Sequence, residues 1–209
     1  MKEMGHKDWE SFWSGTGKVL NKISGKVMWV EYERFLKYVN LSVHSKTLEL
    51  GSGSGKNSLA LAKKYGCSAT LVDNCRAALD LGKKNFEDES IPARFLLKDI
   101  FRLNEKEKYD LVFSDGLIEH FSGKRRRYAF KKHVDAAKKG GYIMIFVPKS
   151  NALYWIVRTF LKKIGAWMFT EEPSTEKELA ALCDEHDLKV IKMQTWLTDL
   201  GVLAIKTKG

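Results

Sequence analysis

Residues 46–55, Lys-Thr-Leu-Glu-Leu-Gly-Ser-Gly-Ser-Gly, join a short apolar strand pattern to three glycines, Gly51, Gly53 and Gly55. This stretch constrains the fold most. Glycine lacks a Cβ, takes positive φ freely and lets a backbone approach a ligand closely. A helix pattern follows over 57–65, and its N-terminal amides point into the space the glycines open. A strand, a glycine turn and a helix in that order read as a cofactor-binding turn.

The spacing is G-x-G-x-G. Lys56 stands where a dinucleotide fingerprint has its third glycine, which moves the expected cofactor from NAD toward S-adenosylmethionine. Beyond the turn, strand-like and helix-like segments alternate, the pattern of a parallel sheet with helices on both faces. Strands are expected near 46–50, 68–72, 94–98, 109–114, 141–147, 188–195 and 202–207, with helices near 57–65, 75–86, 126–138 and 175–186. Thr175 and Glu178 form a capping box that starts the last helix. Asp199-Leu-Gly201 reads as a short turn joining the last two strands in an antiparallel hairpin, and Gly140-Gly141 punctuates the start of strand five. At 209 residues the chain is expected to form one domain over 1–209.

Two further strands end in acids. Ala69-Thr-Leu-Val-Asp73 supplies Asp73, and Ala93-Arg-Phe-Leu-Leu-Lys-Asp-Ile100 supplies Asp99. With the glycine turn, these acids carry a resemblance: over residues 40 to 209 the chain is similar to class I S-adenosylmethionine-dependent methyltransferases. The resemblance implies an α/β fold, a Rossmann-like, doubly wound, seven-stranded, mostly parallel sheet with an antiparallel last strand and an N-terminal helical cap. It implies that Glu49 stands near the cofactor's amino group, where the family more often has Asp. It places Asp73 on the ribose hydroxyls, which a carboxylate can accept together, and Asp99 with Ile100 at the adenine. Dehydrogenases also use an acid on the ribose, so Asp73 alone does not exclude NAD. The expected cofactor-binding set is Glu49, Gly51, Ser52, Gly53, Gly55, Asp73, Asn74, Asp99, Ile100 and Ser114.

Chemistry is expected after strand four, where Tyr109-Asp-Leu-Val-Phe-Ser-Asp-Gly-Leu-Ile-Glu-His-Phe121 runs from a buried strand into a loop. The Glu-His-Phe step resembles ubiquinone-biosynthesis and cyclopropane-synthase types of methyltransferase. Methyl transfer from a sulfonium is an in-line displacement, so the protein positions the acceptor and removes at most one proton. His120, whose ordinary pKa suits neutral pH, is the first candidate base, with Glu119 and Asp115 as carboxylate alternatives. The other reading of Glu119 and His120 is a helix start or an anchor for the cofactor carboxylate.

Two segments lie outside the sheet-and-helix core. Residues 1–40 carry Trp9, Phe12, Trp13, Trp29, Tyr32, Phe35 and Tyr38 at helical spacings. They read as core-covering helices or, with Trp13, as a lid over the cofactor. The second, 150–172, is aromatic and basic and follows strand five on the ligand side of the sheet. It is expected to be a lid whose Tyr154, Trp155 and Trp167 wall the acceptor. With Arg158, Lys162 and Lys163 it also fits a membrane-surface helix, or plain packing.

Lys plus Arg exceed Asp plus Glu by 36 to 26, giving +10. Nucleic acid is the partner such a charge suggests, but Ser114-Asp-Gly-Leu is not the Asn/Asp-Pro-Pro-aromatic motif that stacks an amino-bearing base, and no Pro-Cys nucleophile is present. Lys124-Arg-Arg-Arg127 is the one run that could grip phosphates. The expected acceptor is therefore a small organic molecule methylated at O, N or C, with RNA or protein as the alternative. Cys67, Cys75 and Cys183 form no CxxC pair, and no His cluster has zinc spacing, so no metal is expected. The chain lacks an 18-residue apolar run and a signal-peptide core at its start, which predicts a cytoplasmic protein.

Overall fold

A computed structural model describes residues 5–15, 29–164, 167 and 170–207. Helix α1 (His6–Ser14) and the helical residues 29–36 (α2) precede β1 (Lys46–Leu50), α3 (Lys56–Tyr65), β2 (Ser68–Asp73), α4 (Arg76–Asp88) and β3 (Ala93–Leu97). Then follow β4 (Tyr109–Asp115), α5 (Gly123–Ala136), β5 (Ala137–Pro148), α6 (Ala152–Lys163), α7 (Glu176–Asp184), β6 (Leu188–Trp196) and β7 (Asp199–Lys206). The strands form one sheet in the order β3-β2-β1-β4-β5-β7-β6. β1 to β5 are parallel, and β7 runs antiparallel between β5 and β6.

The central strands are apolar throughout because both their faces are covered. Side chains alternate along a strand, so Leu111 and Phe113 of β4 pack with Met144 and Phe146 of β5 under Tyr32, Phe35 and Leu36 of α2. Val112, Ile143 and Ile145 face the other way, onto Phe130 and Val134 of α5 and Leu179 of α7. Order reverses between β1 and β4, the place where open α/β sheets bind ligands at the carboxyl ends of their strands.

Three boundaries differ from the sequence expectation. The hairpin turns at residues 197–198, since Trp196 pairs with Asp199 across a two-residue loop. Asp199 and Gly201 belong to β7, and a Cβ on Gly201 would come within 2.7 Å of the Phe35 and Phe146 rings. That glycine serves ring packing, not a turn. β5 begins at Ala137, ahead of Gly140-Gly141, because the register shifts between Tyr109 and Leu111 and the chain bulges there. Finally, residues 152–163 form a helix with Tyr154 and Arg158 as its buried side and Ile156, Phe160 and Ile164 exposed beyond it. No helix among the described residues is long and apolar enough to cross a membrane.

Candidate active site

The glycine turn is shaped by Asp73. Its Oδ2 accepts from the Gly53 amide at 2.8 Å and its Oδ1 from the Cys75 amide at 2.9 Å. Gly51 and Gly53 have φ of +65° and +52°. A Cβ on Gly53 would lie 2.6 Å from the Trp13 indole, so glycine is required both by the backbone and by the ring laid on it. Gly55, also left-handed, caps α3 and packs against Leu71.

Glu49 points from β1 toward α3, where its Oε2 accepts from Ser58 Oγ at 2.6 Å and from the Ser58 amide at 3.3 Å. Burial drives its pKa up to about 8, against the opposing pull of Ser58. Asp115 ends β4 and accepts from Asn57 at 3.2 Å, with the Tyr32 hydroxyl at 3.5 Å. Burial first, then the charge of Glu119, raises it to about 7. Burial also raises Asp73, while its three backbone hydrogen bonds pull the other way. Asp99 N-caps the short 3-10 turn Ile100–Arg102 by accepting from the Phe101 amide at 2.9 Å.

These groups surround a cavity of about 330 Å³. Of the expected cofactor set, Glu49, Gly51, Ser52, Gly53, Asp73 and Asn74 line it. Asp99 and Ile100 line it too, as do Asp115, His120 and Trp13 from the other expected sets. Trp9 and Trp13 bring α1 to the cavity, and Trp9 meets the His120 ring edge-on at 4.9 Å. Burial lowers the His120 pKa, so the imidazole is neutral near pH 7.

Six expected residues are placed elsewhere. Ser114 and Asp115 alternate across β4, which sends Ser114 Oγ into the core, 2.9 Å from Nε2 of the buried His133. Gly55 sits behind the turn as the α3 cap. Tyr154 is buried with its hydroxyl donating to Glu171 at 2.6 Å, Trp167 packs on Tyr154, and Trp155 is 45% exposed. None of these three lines the cavity. Glu119 lies just behind the wall, 2% exposed.

Asn57, Phe101, Phe121 and Arg125 also line the cavity, and sequence reasoning gave none of them a site role of its own, quoting Phe121 and Arg125 only within the Glu-His-Phe step and the basic run. Asn57 had a signal, since it opens the helix after the glycines; the others arrive only through folding. The basic run is taken apart by the fold. Arg125 stacks over Phe101 and Phe121, Arg126 donates to the Glu172 carbonyl and Ser174, and Arg127 pairs with Glu185.

Residues 47–141 match a family model described as a methyltransferase domain. The small-subunit ribosomal RNA methyltransferase C of Buchnera aphidicola is 35% identical over 82 residues, which are 39% of this chain and 24% of that protein. The phosphoethanolamine N-methyltransferase of Plasmodium falciparum is 24% identical over 120 residues, 54% of this chain and 42% of that protein. The chain thus spans less than half the length of either relative. Among solved structures, the 1,6-didemethyltoxoflavin-N1-methyltransferase of Burkholderia thailandensis, with its substrate and S-adenosylhomocysteine bound, superposes with TM-score 0.76 at 16% identity, covering 97% of this chain and 87% of that one. In sheet order and in the match over residues 47–141, the chain is similar to class I S-adenosylmethionine-dependent methyltransferases.

Proposed function

We propose that this chain binds S-adenosylmethionine in the 330 Å³ cavity and methylates a small organic molecule at oxygen, nitrogen or carbon. The observation that carries the reading is the fit of the cavity wall to that cofactor. Ser52 Oγ is buried on the wall without a hydrogen-bond partner, the left-handed glycines keep the turn free of side chains, and acids from three strands face one space. A buried polar atom without a partner is costly, and a ligand's polar group would relieve it.

When bound, S-adenosylmethionine would supply a methyl group activated on a sulfonium for in-line displacement. The rest is done by this chain's residues. Asp73 keeps lone pairs beyond its contacts with the Gly53, Cys75 and Asn74 backbone for the ribose hydroxyls. Glu49, protonated near pH 7 by burial, would ionise against the cofactor's ammonium. Asp99 and Ile100 border the place of the adenine. Trp9 and Trp13 add apolar surface to the cavity wall, which would strengthen charge interactions inside once a ligand displaces water. Neutral His120, held by Nδ1 at 3.1 Å from the Thr170 carbonyl, is the group placed to take a proton from an acceptor hydroxyl or amine.

The dispersal of Arg125, Arg126 and Arg127 onto separate partners favours a small acceptor over a polymer. Calorimetry with S-adenosylmethionine, followed by transfer of labelled methyl into a metabolite extract, tests the reading. Binding and one labelled product under low mass are expected. Binding of NADH in place of S-adenosylmethionine would overturn it, and label entering RNA or protein would replace the acceptor class.

A further inference from the structure

Glu119, His120 and Glu171 bring two carboxylate oxygens and one imidazole nitrogen within 4.8 Å of one another. The backbone arranges this meeting. Glu119 and His120 occupy the 3-10 turn Ile118–His120 after β4, and the chain returning from α6 is fixed against it by the Glu172 amide, which donates to the Glu119 carbonyl at 2.8 Å. A bridge between Lys149 and Ser174 holds the same segment to the end of β5. Glu171 is oriented by the Tyr154 hydroxyl at 2.6 Å. His120 Nδ1 lies 3.1 Å from the Thr170 carbonyl, and the ring also meets the Gly116 backbone. Ligating histidines commonly carry such an orienting contact.

A second observation is independent of the clustering. Glu119 is 2% exposed, and its Oε2 has no hydrogen-bond partner although the Glu171 carboxylate acts on it as a like charge. Buried carboxylates are ordinarily paired or bound to metal. Arg126 acts on Glu119 by its charge but donates its hydrogen bonds to the Glu172 carbonyl and Ser174, and Arg158 lies over the Tyr154 and Trp155 rings, so neither guanidinium satisfies Oε2.

We propose that Glu119, His120 and Glu171 bind a divalent cation of the Mn²⁺ type in the cavity wall. Two carboxylates and a neutral imidazole balance its charge, and the two carboxylates are donors that suit Mn²⁺. Donors around one such ion are roughly 3 Å apart, so side-chain rotation closes the remaining gap. Three protein ligands leave positions open, as in catalytic sites. His120 is the ligand of the three that lines the cavity, and through it the ion would adjoin the acceptor space. In the methyltransferase reading, on which this role rests, His120 acts as a ligand and not as the base while the ion is bound, and the ion would hold and acidify an acceptor oxygen, which points to a hydroxyl, carboxylate or phosphate-bearing substrate.

Mn²⁺ titration of the full chain, followed by the electron paramagnetic resonance signal of free Mn²⁺, tests the site. One ion per chain is expected, with binding weakened about tenfold or more in Glu171→Gln and in Glu119→Gln and S-adenosylhomocysteine affinity unchanged. Glu171→Gln keeps a carbonyl for Tyr154, so the fold is retained. The proposal is overturned by the lack of saturable binding at millimolar Mn²⁺, or by binding that neither substitution weakens. The two readings separate cleanly. S-adenosylhomocysteine binding without Mn²⁺ binding removes the metal site alone, and Mn²⁺ binding without cofactor binding supports the site while removing the methyltransferase reading.

Discussion

Asp73 does two jobs with one carboxylate. It fixes the glycine turn through the Gly53 and Cys75 amides, and it borders the cavity. Asp73→Ala is expected to weaken S-adenosylmethionine binding by about 1.5–3 kcal/mol and to lower the melting temperature as well, since two amides lose their acceptor. Calorimetry and thermal melts read the two effects separately. Glu49 gives a pH signature. Its pKa is about 8 in the folded, cofactor-free chain against an ordinary 4.5, so the folded state holds a proton the unfolded state has released between those values. Stability from this group is full below pH 4.5 and is lost as pH rises through 8. Glu49→Gln should remove that share of the slope between pH 5 and 9, measured as the melting temperature of wild type minus variant. An unchanged slope would show that Glu49 is already ionised.

Helix α1 is held to the body by its own chemistry. Glu10 accepts from the Arg76 amide at 2.6 Å and the Ala77 amide at 3.2 Å, capping α4 with a carboxylate at the positive end of its dipole. Because α1 also carries Trp9 and Trp13 to the cavity, Glu10→Ala is expected to cost about 1 kcal/mol in stability and to weaken cofactor binding. A variant that loses stability while keeping its cofactor affinity would separate the cap from the roof. Helix α6 illustrates the reverse case. Its aromatics suggested a wall for the acceptor, but its buried face is Tyr154 and Arg158, committed to Glu171 and to ring packing.

Across the whole molecule, the sheet gathers β1, β2 and β4 so that their carboxyl ends open on one cavity. Hydrogen exchange should therefore show S-adenosylhomocysteine protecting α1, the turn at 51–57 and the loop at 115–121, with α6 unchanged. Protection of α6 in place of α1 would restore residues 150–172 as the lid.

The sequence alone carried the alternation of strands and helices, the glycine turn and the acids at the ends of β1 and β2, because these are local: a strand's period and a turn's φ are set by adjacent residues. The Thr175–Glu178 capping box was legible for the same reason and is present as read. What lies within one element of the turn, such as Asn57, was within reach. Only the tertiary structure decided that Ser114 turns away to His133 while Asp115 turns toward Tyr32, since the face of a strand depends on its neighbours. It likewise decided that Gly201 serves two phenylalanine rings and that the arginine run is dispersed. The meeting of Glu119 and His120 with Glu171 belongs to the same class. Those residues are separated along the chain by α5, β5 and α6, and no spacing rule joins groups that only a folded sheet brings within a few ångströms.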